Sequence, residues 1–274
     1  MTKDIALTDR ILNCIPSKKT ENDWHIETAL AAGIIEAPAA IPLAVDLREP
    51  SWWTIGDQLD SGSCVGWGTA DSVCRWHFVK AGKLAKDQRL SARYVWMAAK
   101  ETDVFIDRPT TFLEWDGTSL KAALDIVRKY GVVTDAVLPF RVADSAGALV
   151  LEKLYRGEAD TFYASATKLK IANYFNLGTN QDSWRTWLAT KGPILTRLDV
   201  DATWDNALKT KGKLDVYLPK TRRGGHCIAL VGYTNDRFIV RNSWGTKAWG
   251  DLGFGYASLA YARDAFTEAY GVSI

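Results

Sequence analysis

Helical spacing of apolar residues dominates the first part of the chain. The predicted helices lie at about 64–81, 91–101 and 118–130. The first follows a small, turn-prone Ser-Gly-Ser sequence, so a tight loop would lead directly into it. The third has Thr118 or Ser119 as its N-cap and ends at Gly131.

Strand patterns dominate the last part of the chain. The predicted strands lie at about 168–175, 194–200, 226–233, 237–242 and 253–257. A short turn joins the third to the fourth, which predicts an antiparallel hairpin. Two helices are predicted among the strands, one from Ala146 to Arg156 and one that starts near Asp182 and ends at Gly192. The pattern therefore predicts a largely antiparallel sheet behind a set of helices.

Cys64 stands where the first of these helices begins. The free N–H groups and the positive dipole end of a helix favour a thiolate over a thiol, so this position suits a reactive cysteine. A single cysteine is also consistent with a small buried apolar residue. Partner residues elsewhere in the chain must decide between these two interpretations.

The predicted hairpin supplies such partners. His226 stands near the start of its first strand and Asn242 near the end of its second, so the two would lie side by side. Cysteine, histidine and asparagine can act as nucleophile, base and orienting group of a thiol-based acyl-transfer site. The other histidines are placed less well, because His25 lies in the N-terminal arm and His77 far along the helix after Cys64.

These motifs resemble those of the papain-like cysteine peptidases, in particular the bacterial and phage-type branch without the usual long prosegment. The resemblance follows the family's order from about Ile41 to about Tyr256. The matching segments are Gln58 with Ser61-Gly-Ser-Cys64, Leu90-Ser91, Asp116-Gly117-Thr-Ser-Leu, Tyr130-Gly131, Leu138-Pro-Phe140, Lys191-Gly-Pro193, Gly225-His226 with Ala229-Leu-Val-Gly-Tyr, Arg241-Asn-Ser-Trp-Gly-Thr and Trp249-Gly250.

The resemblance implies an α+β, papain-like, two-lobed fold. A mainly helical left lobe at about 55–140 would face a right lobe made of an antiparallel β-sheet or barrel, at about 141–274 plus the leading strand near Ile41. The active site would lie in the cleft between the lobes. Residues 41–274 would form this domain, and residues 1–40 would be an N-terminal arm or a short pro-like segment.

The resemblance also implies a role for each matching residue. Cys64 would attack the scissile carbonyl, His226 would be the general base and acid, and Asn242 would orient the histidine. Gln58 would form the oxyanion hole with the Cys64 backbone N–H. The residues that would bind substrate or wall the cleft are Gly117, Thr118, Ser119, Leu120, Gly225 and Trp244.

The sequence departs from the family pattern near the nucleophile and the histidine. Val65 stands where the family usually has tryptophan, which bears on the leaving-group side of the cleft. Gly225 removes a side chain near the second specificity pocket, which Ser119 and Leu120 would line. Ser61 replaces a cysteine that is disulfide-bonded in secreted relatives, a change that suits a reducing compartment.

Composition narrows the choice of partners and compartment. The chain has 274 residues, 47% of them hydrophobic, and a net charge of +2 with no long basic run, so neither nucleic acid nor a membrane is expected as a partner. No metal-binding spacing such as Cys-x-x-Cys occurs, so we expect no metal and no cofactor. We expect a monomer that acts on a peptide or protein. Its start lacks a secretory signal, which favours the cytoplasm or export without a standard signal.

Two segments leave an alternative open. The arm at residues 1–40 packs on the domain surface or lies in or near the cleft, and in the second case deletion of residues 1–38 should raise activity. The stretch from Asp199 to Asp205 has spaced carboxylates, but it lacks the glycine and terminal glutamate of a calcium loop. We expect a solvated loop there.

Three classes of function remain compatible with the sequence. The first is a cysteine peptidase. The second is a thiol acyltransferase or deconjugating enzyme that uses the same residues. The third is a catalytically silent binding protein with the same fold, which the joint presence of Gln58, Cys64, His226 and Asn242 disfavours, because binding alone does not need them together.

Overall fold

The computed structural model describes residues 7–33, 35–36, 40–102, 117–143, 149–151 and 164–274. Its α-helices are Ile26–Ala31 (α1), Cys64–Gly66 (α2), Arg75–Lys80 (α3), Ala92–Thr102 (α4), Leu120–Lys129 (α5), Gln181–Thr190 (α6) and Leu259–Ala265 (α7). A π-helix, Trp67–Cys74, joins α2 to α3. Residues 64–80 therefore form one continuous helical rod, named here the central helix. Short 3₁₀ turns occur at Leu7–Asp9, Thr20–Asn22, Ala202–Asn206 and Pro219–Thr221.

The strands form one large sheet and one small hairpin. They are Val45–Asp46 (β1), Arg141–Ala143 (β2), Leu149–Leu151 (β3), Asn173–Asn176 (β4), Ile194–Val200 (β5), Lys213–Leu214 (β6), Gly224–Tyr233 (β7), Arg237–Arg241 (β8), Phe254–Ser258 (β9) and Phe266–Ser273 (β10). In the large sheet the order is β4-β10-β5-β7-β8-β9-β6, and β1 pairs with β7. All of these pairs are antiparallel except β6 with β9. The fold combines helices with a sheet, as expected. The sheet stays open at its edge strands β4 and β6 and does not close into a barrel.

Two apolar cores hold the helices and the sheet together. One lies between the central helix, α4, α5 and one face of the sheet. The other lies on the opposite face of the sheet, under α1, α6 and α7. The central helix crosses the sheet closely at Gly68, where an added Cβ would come within 2.5 Å of the Cys227 sulfur. This close crossing brings the start of the central helix next to the start of β7.

Most of the predicted elements are present in the described residues. Ser119 is the N-cap of α5, because its hydroxyl accepts a hydrogen bond from the Ala122 N–H at 3.2 Å. Gly131 ends that helix with a φ of 96°, a conformation that favours glycine. The predicted hairpin is β7 and β8, whose register pairs Tyr233 with Phe238.

Other predictions of secondary structure were wrong or incomplete. Residues Leu149–Leu151 of the helix predicted from Ala146 to Arg156 form a strand, and the rest of that stretch lies outside the described residues. The strand predicted at about 168–175 is confined to Asn173–Asn176. The pattern missed β10, which lies inside the sheet, because its Glu, Ala and Gly residues have low strand propensity. Within the described residues no helix combines the length and apolar character needed to cross a membrane.

Candidate active site

The loop before the central helix places Cys64 at the helix start. Ser61 closes this loop by donating hydrogen bonds from its hydroxyl at 2.6 Å and its N–H at 3.3 Å to the Gln58 carbonyl. Cys64 is the first residue of α2, so its N–H belongs to the helix end that lacks intrahelical acceptors. The side chain of Cys64 is completely buried.

The hairpin of β7 and β8 brings His226 and Asn242 together. The His226 Nε2 and the Asn242 Oδ1 are 2.8 Å apart. The same Oδ1 accepts the N–H of Ser243 at 2.8 Å, which fixes the orientation of the amide. Because Oδ1 can only accept, Nε2 must carry the proton. The other ring nitrogen, Nδ1, is buried without a hydrogen-bond partner in the described part of the chain, and His226 interacts with the Cys64 thiol, so Nδ1 is the nitrogen available to that thiol.

Three tryptophans enclose this pair. Trp244 covers the imidazole of His226 with ring centroids 4.9 Å apart, and Trp204 meets the same ring edge-on at 5.6 Å. Trp249 packs on Trp204 at 4.5 Å. All three tryptophans are buried. They keep water from the bond between His226 and Asn242 and lower the local dielectric, which strengthens that bond.

Trp204 lies in the segment for which the sequence predicted a solvated loop, and that prediction was wrong. Both Trp204 and Asp201 are completely buried. The carboxylate of Asp201 accepts hydrogen bonds from the Tyr261 hydroxyl at 2.8 Å and the Leu218 N–H at 2.6 Å. These partners are remote in sequence, so the local pattern of carboxylates could not reveal them.

The surroundings of Cys64 favour its thiolate. Its pKa lies well below the ordinary value, chiefly because the Cys14 thiol donates a hydrogen bond to it, and also because of contacts with the His226 side chain and the Cys227 N–H. These interactions outweigh the burial, which would raise the pKa. Burial raises the pKa of Cys227 and brings that of Cys74 to about 12. Cys64 is therefore the one cysteine among the four whose pKa lies below the ordinary value.

Gln58 connects the loop before Cys64 to the loop after Asn242. Its N–H donates to the Ser243 carbonyl at 2.8 Å, and its side-chain Oε1 accepts the Ser243 hydroxyl at 2.8 Å. Its Nε2 donates one hydrogen to the Ser61 carbonyl at 3.0 Å, which leaves one hydrogen for another acceptor. Gln58 is completely buried, so its amide is held in one orientation.

A buried ion pair joins the central helix to β8. Asp71 accepts a hydrogen bond from Arg241 at 2.9 Å, and its other oxygen pairs with Arg75 at 3.2 Å and Arg89 at 2.9 Å. Asp71 lies on the same helix as Cys64, and Arg241 directly precedes Asn242. The pair therefore fixes the nucleophile's helix relative to the strand that carries the asparagine. The pair of Asp71 and Arg241 could not be predicted from the sequence, since residues so far apart in the chain give no local signal.

The N-terminal arm passes through a cleft between β7 and the segment that precedes α5. Its Cys14 N–H donates to the Gly225 carbonyl at 3.0 Å on one side, and its Ile15 N–H donates to the Thr118 carbonyl at 3.2 Å on the other. Gly117 is equally close, because an added Cβ there would lie 1.8 Å from the Asn13 carbonyl oxygen. The arm thus occupies the surface that the sequence assigned to substrate. This is the placement described by the second interpretation of the arm.

Charged side chains hold both ends of this arm segment. At one end Arg10 is buried, donates to Asp57 at 2.6 Å and lies over the Trp244 ring at 5.8 Å. Further along, Arg197 donates from Nε to the Cys14 carbonyl at 2.9 Å. At the other end the Ser17 N–H donates to Glu268 at 2.9 Å. Sequence reasoning missed Arg10 and Arg197, which are isolated basic residues without a motif.

The remaining sequence-predicted residues take different positions. Thr118 and Gly225 contact the arm through their main chains, and Trp244 lies between His226 and Arg10. The hydroxyl of Ser119 serves as the N-cap of α5, and Leu120 is completely buried in the same apolar core as Cys64. Among the described residues, no group of three or more His, Cys, Asp or Glu side chains could hold a metal ion.

Solved structures similar to this chain share its fold. Xylellain, a cysteine protease from Xylella fastidiosa, superposes with a TM-score of 0.75 at 19% identity, over 100% of this chain and 98% of that one. Procathepsin B S9 from Trypanosoma congolense gives 0.67 at 15% identity, over 97% and 87%. Procathepsin L2 from the Tenebrio molitor larval midgut gives 0.67 at 18% identity, over 100% and 81%.

Two further comparisons use the amino-acid sequence of the chain. A search of curated protein sequences gives no match. The model of the papain family cysteine proteases matches residues 41–270, which is most of the chain. The chain therefore belongs to the papain family of cysteine proteases and is a papain-like cysteine peptidase, a hydrolase.

Proposed function

We propose that the protein hydrolyses peptide bonds with Cys64 as nucleophile and His226 as general base and acid. The observation that carries this proposal is the chain of contacts from the Cys64 thiol, through His226, to the Asn242 amide at 2.8 Å. A free thiol has a pKa of about 8.5 and is mostly protonated at neutral pH. Contact with His226 supports a thiolate–imidazolium pair instead.

Each step of the reaction uses one of these groups. The Cys64 thiolate attacks the scissile carbonyl carbon, and the carbonyl oxygen becomes an oxyanion. The Cys64 N–H and the second hydrogen of the Gln58 amide stabilise that oxyanion. His226 gives its proton to the leaving amine, and a thioester remains on Cys64. His226 then takes a proton from water, which hydrolyses the thioester and frees the thiolate.

The enclosure by tryptophans supports the orienting role of Asn242. Its hydrogen bond keeps the proton on Nε2 of His226, so that Nδ1 is the nitrogen that exchanges a proton with Cys64. Trp244 and Trp204 allow little rotation of the imidazole. The site thus begins with its groups already oriented, which lowers the entropic part of the barrier.

We also infer that residues 7–17, named here the cleft segment, keep the enzyme inactive until they are displaced. If the leaving group lies toward Trp244 and the acyl part toward Gly117, the cleft segment runs in the direction opposite to a substrate. Its Cys14 carbonyl is bound by Arg197, away from the oxyanion donors. The segment therefore blocks the site without presenting a peptide bond for attack.

Two substitutions test the catalytic proposal. Cys64→Ala and His226→Ala should each abolish turnover of a mixed fluorogenic peptide library, measured on protein that lacks residues 1–18 to open the cleft. This deletion retains Asp23, which accepts the Tyr270 hydroxyl at 2.8 Å, and α1. It should therefore disturb folding less than removal of residues 1–38. Near-normal turnover by Cys64→Ala would refute the mechanism.

The same protein separates the two alternatives. An acyltransferase would release more product as the concentration of an added amine acceptor rises, and a new amide would form between the acyl group and that amine. A silent binding protein would bind peptides without releasing product. Hydrolysis that is independent of the added amine would support the peptidase.

A further inference from the structure

The cleft segment places a second thiol against Cys64. The Cys14 and Cys64 side chains interact with each other, and both are buried in the same apolar core. Both residues are also bound to the same short stretch of β7. Cys14 donates its N–H to the Gly225 carbonyl at 3.0 Å, and Cys64 accepts the N–H of Cys227. The backbone therefore holds Cys14 and Cys64 as neighbours.

The contacts that hold Cys14 in place do not depend on its sulfur. Arg197 donates to its carbonyl at 2.9 Å, and the adjacent Ile15 donates its N–H to Thr118 at 3.2 Å. An occluding segment needs only these main-chain contacts to block the cleft. A thiol directed at the nucleophile adds a reactive group that simple occlusion does not require.

We propose that Cys14 and Cys64 form a reversible disulfide that locks the cleft segment over the active site when a hydroperoxide is present. This inference rests on the proposed role of Cys64 as nucleophile and of the cleft segment as its cover. Without the disulfide, substrate or thermal motion can displace the cleft segment. With the disulfide, only a reductant can release it. The enzyme would then open under reducing conditions.

The reaction balances with hydrogen peroxide as the oxidant. The Cys64 thiolate attacks one peroxide oxygen, the O–O bond breaks, and a sulfenic acid forms on Cys64. The departing hydroxide takes the imidazolium proton of His226, which came from Cys64, and leaves as water. The Cys14 sulfur then attacks the Cys64 sulfur, the S–O bond breaks, and the hydroxyl leaves with a proton as water. Two thiols have lost two electrons and two protons in total, and peroxide has become two molecules of water.

The charges around the two thiols favour oxidation of Cys64 first and attack by Cys14 second. Cys64 is the thiolate, and thiolates react with peroxide far faster than thiols do. Burial, the hydrogen bond to Cys64 and the Cys64 charge raise the pKa of Cys14, while Arg197 lowers it. Oxidation of Cys64 to a neutral sulfenic acid removes that charge and leaves Arg197 to favour the Cys14 thiolate. Brief openings of the cleft segment would admit the oxidant.

Peptide mapping without reduction detects the bond directly. The full-length protein is titrated with hydrogen peroxide, unfolded with iodoacetamide to cap free thiols, and digested with trypsin. Cys14 lies in the peptide Ile11–Lys18, but Cys64 and Cys74 share the peptide Glu49–Arg75. The mapping is therefore repeated in Cys74→Ala, where a cross-link to that peptide can involve only Cys64. We expect the cross-linked pair in both proteins, with the mass of two hydrogens lost.

Cysteine variants and the recovery of peptidase activity test the disulfide further. Wild-type protein and a Cys227→Ser control should form the pair, and dithiothreitol should reverse it. Cys14→Ser should form no pair, and its Cys64 should be oxidised irreversibly to the sulfinic acid, so that about tenfold less activity returns with dithiothreitol than in the wild type. Oxidation of Cys64 without a bond to Cys14, or a bond to Cys227 instead, would overturn the proposal. Because the cross-link is measured by mass, it is scored independently of whether Cys64→Ala abolishes turnover.

Discussion

Gly224 offers a way to push the cleft segment out without altering the catalytic residues. An added Cβ at Gly224 would lie 2.4 Å from the Leu12 carbonyl oxygen and 2.8 Å from the Leu12 Cβ, and all of its near neighbours belong to the arm. Its backbone conformation is open to alanine, since its φ is not positive. The substitution Gly224→Ala should therefore strain only the closed state.

The size of the effect follows from the overlap. Forcing a methyl group into a packed contact typically costs about 1–3 kcal/mol, and here the arm can relieve that cost by leaving the cleft. A shift of that size in the closed-to-open equilibrium changes the open fraction by about 5- to 150-fold. We expect the alkylation rate of Cys64 by iodoacetamide and kcat/KM for a fluorogenic peptide to rise together within that range, until the cleft is fully open.

A protein that begins at Lys19 provides the matched control. It lacks Leu12, so Gly224→Ala should leave its alkylation rate and its kcat/KM unchanged. An equal rise in the shortened protein would mean that the substitution acts through β7 and not through the arm. In another outcome, shortening itself accelerates alkylation while Gly224→Ala leaves the alkylation rate of the full-length protein unchanged. That result would show that the contact at Leu12 does not hold the segment closed.

Three further predictions concern catalysis and stability. Gln58→Ala in the shortened protein should lower kcat by about 10²- to 10³-fold through loss of an oxyanion donor, checked by steady-state kinetics with a melting curve to confirm folding. Asp71→Asn should lower the free energy of unfolding by about 3–5 kcal/mol in urea, because Arg241 and Arg75 would lose their buried counter-charge. The control Asp264→Asn, at an exposed pair, should cost less than about 1 kcal/mol. Burial lowers the pKa of His77 from 6.5 to about 4, so between these pH values the unfolded chain binds a proton that the folded chain does not. Stability should therefore fall by up to about 3 kcal/mol as the pH drops through that range, and the part due to His77 should disappear in His77→Gln but not in His25→Gln.

The sequence predicted the parts of the site that depend on local pattern. Cys64 follows a turn and starts a helix, and His226 and Asn242 are brought together by a short hairpin turn, so their neighbourhood can be derived from the order of residues alone. The register of β7 and β8 then sets the distance between the two side chains.

Long-range contacts account for what the sequence did not predict. Trp204 was assigned to a solvated loop because acidic residues surround it, yet packing against Trp244 and Trp249 buries it. The tie between Asp71 and Arg241 joins residues far apart in the chain. The arm's path through the cleft depends on single hydrogen bonds, one donated by Arg197 and one accepted by the Thr118 carbonyl, which leave no repeating pattern to detect.

Inhibitor labelling of the shortened protein shows directly whether His226 makes Cys64 the reactive thiol. The protein that begins at Lys19, with and without His226→Ala, is treated with an epoxide-type thiol-peptidase inhibitor, and the modified residues are mapped by mass spectrometry. The account predicts one label, on Cys64, and its loss in His226→Ala, because the histidine sustains the thiolate. Labelling spread over Cys74 and Cys227, or equal labelling of Cys64 without His226, would contradict it.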